Sequence, residues 1–121
     1  MLRSMMQMYV KGSVEAVEFY QKAFGAELLC AYPDGHGGYM HSELNAFGQI
    51  LVVSEVEEAA DTGSTMQFCF HFGEGGEEHV RKAHEVLKEG AFFCMPPAPC
   101  DFSPCQFCVV DKFGVNWYLF V

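Results

Sequence analysis

A chain of 121 residues, half of them hydrophobic, fits one domain with a real core and leaves no room for a second. Seven Lys and Arg stand against 16 Asp and Glu, and the resulting charge of −9 repels phosphate backbones and anionic lipid, so neither nucleic acid nor membrane is an expected partner. Six cysteines in a chain able to build a core suit free thiols in a reducing cytoplasm better than a disulfide framework.

The first apolar stretch, Met1–Val10, is interrupted by Arg3 and Gln7 and is too short to span a bilayer, so it reads as mature sequence and as a strand over 3–10. Ser13 then offers an N-cap. Ala16, Phe19, Tyr20, Ala23 and Phe24 follow at helical spacing, and Gly25 supplies the stop. Three short runs rich in β-branched and aromatic residues come next, at 27–32, 38–45 and 49–55. Pro33–Gly38 and Asn45–Gly48 mark the turns between them. An acidic, small-residue segment at 57–64 links this part to the next.

The order then repeats. A strand at 65–72 leads through Gly73-Glu74-Gly75-Gly76 into a helix from Glu77 to Glu89, with Val80, Ala83, His84 and Leu87 on one face and Gly90 beyond its end. Strands at 91–95, 105–111 and 115–121 close the chain, the last two joined at Lys112-Phe113-Gly114. The long piece between 95 and 104 holds Pro96, Pro97, Pro99 and Pro104 and is expected to be irregular, at a pocket rim. The fold class is α+β: two βαβββ modules, 1–56 and 65–121, within a single domain of residues 1–121.

The run Val10-Lys11-Gly12-Ser13-x-Glu15-Ala16-x-Glu18-Phe19-Tyr20-x-x-x-Phe24-Gly25, then Met40-His41-Ser42-Glu43-Leu44, and the ending Val110-Asp111-Lys112-Phe113-Gly114-Val115-Asn116-Trp117 resemble the PhnB-like branch of the vicinal oxygen chelate superfamily, which includes glyoxalases, bleomycin-resistance proteins and dioxygenases. The likeness covers nearly the whole chain. It implies that the two modules curl into a half-open sheet around a concave pocket, usually completed by pairing two chains. It also implies a divalent metal held by His and Glu side chains and acting as a Lewis acid. Carried over by position, those ligands would stand at Met5, Gln67, Tyr118, and either Ser54 or Glu55. Thioether, amide and phenol are poor donors for hard or borderline ions, so the usual site is expected to be lost, with no resident cofactor.

Strand alternation assigns the faces without reference to relatives. In the first strand Met6, Met8 and Val10 take the helix side, which leaves Arg3, Met5, Gln7 and Tyr9 opposite. In the third, Met40 and Leu44 pack while His41 and Glu43 face away. Phe68, Phe70 and Phe72 pack in the fifth, leaving Gln67, Cys69 and His71; Trp117 and Leu119 pack in the last, leaving Asn116, Tyr118 and Phe120. The resemblance makes the helix-free side the concave one. His41 and Glu43 are the candidate acid-base pair, because a carboxylate fixes the imidazole tautomer and raises its basicity. They are equally two candidate ligands for a relocated divalent ion. Gln7, Tyr9, Gln67, Cys69, Tyr118 and Phe120 are candidate ligand-binding residues, though a half-exposed sheet face is also polar simply because water touches it.

Other signals carry less. Cys105-x-x-Cys108 has zinc spacing, with Cys94 and Cys100 nearby, but residues three apart in a strand face opposite ways, and small buried hydrophobes are the better account. His79 and His84, five apart on a helix, share no face. The Gly73–Gly76 loop lacks the Lys of a phosphate cradle. Expected, then, is a protein that binds a small organic ligand, with a metal-assisted lyase, isomerase, dioxygenase or group transferase as the alternative and a ligand-free dimeric scaffold as a third. Arg3, the one cation on the concave side, leaves an anionic ligand open. Apolar edge strands after Val115 suggest a homodimer.

Overall fold

The computed structural model describes residues 1–58, 63 and 65–121, so most of the connecting segment at 57–64 lies outside the described residues. The chain divides into two units, Met1–Asp61 and Thr62–Val121. In the first, β1 (Met5–Val10), α1 (Ser13–Phe24), β2 (Glu27–Pro33), β3 (Tyr39–Ala46) and β4 (Gln49–Glu55) follow in order, and the sheet runs β1-β4-β3-β2 with β1 parallel to β4. The second follows the same plan with one strand more: β5 (Phe68–His71), α2 (Glu77–Leu87), β6 (Phe93–Cys94), β7 (Ala98–Cys100), β8 (Ser103–Val110) and β9 (Asn116–Phe120). Its sheet runs β5-β9-β8-β6, with β5 parallel to β9.

In the first unit, α1 buries Ala16, Val17, Phe19, Tyr20, Ala23 and Phe24. The buried sheet residues Met8, Val10, Leu44, Ala46, Leu51 and Val53 complete that core, and burying such apolar side chains supplies the main driving force. The start of α1 departs from expectation. Ser13 is its first helical residue rather than its cap, and Gly12 precedes it at φ 90°, a left-handed conformation that costs only glycine little. The orphan N–H groups are met from across the unit: Gly12 N and Ser13 N donate to Glu55 at 2.9 Å each, and Ser13 Oγ donates at 2.7 Å. A Cβ at Gly38 would lie 2.5 Å from Glu55 Oε1, so the β2–β3 loop closes over this carboxylate only because residue 38 has no side chain.

The turns explain themselves chemically. Asp34 Oδ1 accepts from His36 N and Gly38 N, which holds its carboxyl below the usual range. Ala46 pairs with Gln49, so Phe47 and Gly48 form a two-residue hairpin loop, both at positive φ (56° and 89°), with Asn45 Oδ1 accepting from Gly48 N. In the second unit the Asp-x-Phe-Gly-x-x-Trp run is a folding device. Buried Asp111 accepts from Phe113 N and Val115 N on Oδ1, and from Trp117 Nε1 on Oδ2 at 2.9 Å, fixing the β8–β9 hairpin and the indole in one stroke.

Four expectations need correction. The proline-bearing stretch is not wholly irregular: Ala98–Cys100 pairs with β8, which itself begins at Ser103. Gln67 precedes β5 instead of lying within it. Met40 does not pack and is 64% exposed, because the β2–β3 register slips there: Tyr32 pairs with His41 but Pro33 with Tyr39, so Met40 is the extra residue of a bulge. The strand after Val115 is no edge, since β9 lies between β5 and β8. Among the described residues no helix is long and apolar enough to cross a membrane, and all six cysteines are free thiols.

Candidate functional site

The helix-free face of the first sheet carries a row that crosses all four strands: Gln7 on β1, Val52 on β4, Glu43 on β3 and Cys30 on β2 are successive pairing partners. Glu43 is its centre. Its carboxylate is clasped by Arg3, with Nη1 donating to Oε1 at 2.7 Å and Nη2 to Oε2 at 3.1 Å, the fork geometry in which guanidinium and carboxylate fit best. On the other side His41 Nε2 meets Glu43 Oε2 at 2.8 Å. Arg3 first, and then His41, hold the Glu43 carboxyl down to about 2 despite the opposing effect of burial.

That ionised carboxylate decides the imidazole's tautomer. An anion with no proton to give can only accept, so Nε2 carries the hydrogen and Nδ1 of neutral His41 keeps a lone pair. The His41 side chain is about one third exposed, against 11% for Glu43, so the ring presents an oriented surface outward while the carboxylate beneath is shielded. Tyr32, paired with His41, places its ring 6.1 Å away.

Cys30, on a strand whose faces were not assigned, is one that simple alternation would misplace. Leu28 pairs with Leu44 on the core face, and two-residue alternation would put Cys30 beside it. The register instead steps from Leu28↔Leu44 to Cys30↔Glu43, with Leu29 bulged out, so Cys30 lands on the face of Glu43. One donor atom each from Cys30, His41 and Glu43 lies within 4.8 Å of the other two.

The metal positions carried over from the resemblance do not fit an ion here. Glu55 is committed to the start of α1; burial pushes its carboxyl up, and the hydrogen bonds from Ser13 and Gly12 more than offset this, leaving it lowered. Ser54, on the opposite face, accepts from Gln7 Nε2 at 3.0 Å. Met5 offers only a thioether. Gln67 Nε2 donates to Asn116 Oδ1, and burial pushes the Tyr118 phenol up, away from the ionised form a metal would need.

In the second unit Cys69, Tyr118 and Cys108 are successive pairing partners across β5, β9 and β8. Next to them Phe120 stacks on His71 at 4.3 Å and meets Tyr118 at 5.2 Å and Phe102 edge-on at 5.9 Å. Phe102, exposed and in a turn, was not singled out by sequence, since it stands outside any strand whose faces could be assigned. Burial raises both Cys94 and Cys108, which suits packed thiols rather than a zinc knuckle. His84 packs edge-on against Phe107, and burial lowers its pKa. Arg3 sits where alternation puts it, but as the partner of Glu43 and not as an unopposed cation.

No protein-family profile matches the chain, and no curated protein matches it. Solved structures do. The PhnB protein of Bacillus cereus is 20% identical, with 98% of each chain covered and a TM-score of 0.79. The fosfomycin resistance protein FosX of Mesorhizobium loti is 17% identical over 98% of this chain and 90% of its own, at 0.71. A possible glyoxalase from Bacillus cereus is 24% identical over 96% and 95%, at 0.67.

Proposed function

We propose, for a chain that has the vicinal oxygen chelate fold, that it binds a small organic ligand on the helix-free sheet face, with His41 and Glu43 as the chemical centre in place of the usual metal positions. The observation that carries this is the chain of contacts Arg3–Glu43–His41, in which a clamped carboxylate aims a partly exposed imidazole. Such an imidazole offers a neutral acceptor at Nδ1, and so recognises, or takes a proton from, a hydroxyl or N–H group of the ligand. Tyr9, 59% exposed on the same face of β1 as Gln7, gives an aromatic surface beside it. Arg3 is neutralised by Glu43, which favours an uncharged polar ligand over a phosphonate.

On this proposal Gln7, Gln67, Cys69, Tyr118 and Phe120 are further ligand contacts, the two modules work as one domain, and the protein is a cytoplasmic homodimer. Exposed Met5, on edge strand β1, supports a surface that a second chain would cover. A thermal-shift panel of hydroxylated and amide-bearing aromatics, set against phosphonates, tests the idea. Stabilisation by the uncharged set, lost in His41→Gln, is expected. Failure of every compound to raise the melting temperature, or a shift that survives His41→Gln, would overturn it.

A further inference from the structure

We infer that Cys30, His41 and Glu43 form a site for a borderline divalent cation, zinc(II) above all, with a fourth coordination position open to the ligand; this deepens the proposal above and rests on the same centre. Three observations carry it. The donor set is one thiol, one imidazole and one carboxylate, and their donor atoms lie within 4.8 Å of one another. Thiolate selects against magnesium, calcium and manganese, while a mixed S, N, O set suits zinc. Three protein ligands with one open position is also the arrangement of zinc sites that act on substrates.

The triangle itself disfavours the obvious rival, a nucleophilic thiol activated by a His–Glu relay. In a relay the thiol and the carboxylate occupy opposite nitrogens of the ring, so at hydrogen-bond distances they stand about 7 Å apart. Here the sulfur and one Glu43 carboxylate oxygen are no more than 4.8 Å apart, while His41 Nε2 lies 2.8 Å from Oε2. With metal–donor bonds of about 2.0 to 2.3 Å, donors around a tetrahedral ion are about 3.5 Å from each other, so loading asks for shifts of about 1 Å, which fall to the part-exposed Cys30 and His41 while Glu43 stays buried.

Loading is balanced in protons. The Cys30 thiol releases its proton to solvent, the ion takes the place of the Nε2 hydrogen between His41 and Glu43, and the neutral ring keeps one proton, now on Nδ1. Arg3 retains its 2.7 Å bond to Glu43 Oε1 and gives up the weaker one to Oε2, so it orients the carboxylate from behind. Cys30 and His41 are only part-buried, which would leave a fourth position for solvent or the ligand.

The test uses full-length protein, reduced and stripped with chelator, titrated with cobalt(II) and then displaced by zinc(II). One ion per chain is expected, with the charge-transfer absorption of a cobalt–thiolate bond. Cys30→Ser should abolish that absorption and weaken zinc binding at least about 100-fold, while Cys94→Ser/Cys108→Ser leaves both unchanged. Absorption that persists in Cys30→Ser, or that disappears in the double variant, would overturn the inference, as would absence of any thiolate band in the native chain. Cys30→Ser keeps size and shape, and its melting curve without metal checks that it folds. Repeating the ligand panel in excess chelator separates the two ideas. Shifts that persist there and need His41 support the ligand proposal and overturn the metal as the ligand's seat, whereas shifts that appear only with zinc support a metal-held ligand and overturn Nδ1 as its acceptor, because the loaded ring carries its proton there.

Discussion

Glu55 provides the sharpest stability prediction, because its role is to cap a helix from a distant strand. Gly12 precedes α1 and has no side chain, so the first N–H groups have no local acceptor, and Glu55 takes two of them and the Ser13 hydroxyl besides. Removing a single local N-cap costs about 1 kcal/mol, and bonds to a charged acceptor run higher, at about 1.5–3 kcal/mol each. Water reaches the half-buried site and recovers part of this, and removing Glu55 also relieves repulsion from Asp34, which pushes its pKa up. Glu55→Ala should therefore cost about 3 kcal/mol, or about 12 °C in Tm for a chain of this size. Glu55→Gln keeps one acceptor oxygen and should lose about half as much. Calorimetry or circular dichroism against temperature reads both. A Glu55→Ala melt within about 2 °C of the native protein would refute the capping argument. Cobalt(II) binding, by contrast, should be the same in Glu55→Ala as in the native chain, since Glu55 faces the helix and not Cys30.

Acid should act through Glu43. Its carboxyl titrates at 4.5 when unconstrained and at about 2 in the folded chain, so the stabilisation it gives is fully present above pH 4.5 and is lost as pH falls from there toward 2. Glu43→Gln should flatten that limb of the Tm–pH curve, and an unchanged limb would count against the Arg3 clamp. Asp111→Asn turns an amide N–H toward one of three donors in a fully buried setting, which should cost about 2–3 kcal/mol and lower Tm by about 10 °C. Trp117 is the sole tryptophan, so its emission should shift to the red before global unfolding; unaltered emission and Tm would mean the hairpin does not depend on this carboxylate.

How much of this could be read from the sequence follows from what each signal measures. Helical spacing of large apolar residues reports burial directly, and α1 and α2 appear where that spacing ran. Strand alternation likewise reports a half-buried sheet, so Met8 and Val10 against Gln7 and Tyr9 were legible. Ser13 misled because a hydroxyl before an apolar run ordinarily caps its own helix, and nothing local announces that a carboxylate 42 residues away will do so instead. That acceptor also settles which of two adjacent residues faces which way: Ser54 and Glu55 were indistinguishable by position, and only the demand for an acceptor at α1 turns the acid inward and leaves the hydroxyl with Gln7.

The candidate site was half legible for a related reason. His41 and Glu43 lie two apart on one strand, so alternation alone puts them on one face, and their contact at 2.8 Å needed no distant information. Cys30 could not be found that way. Leu29 opposes no residue of its own on β3, and Met40 likewise opposes none on β2, so each bulge shifts the alternation by one for everything beyond it. Bulges are set by pairing between strands, a property of two segments at once that neither segment's own pattern contains. The two slips have a joint effect: the first brings Cys30 opposite Glu43, and the second begins only past Tyr32↔His41. Cys30, Tyr32, His41 and Glu43 thus share the regular stretch between them. Any pairing of β2 and β3 that preserved simple alternation from Leu28 onward would have left the thiol against the core and the His–Glu pair without a third donor.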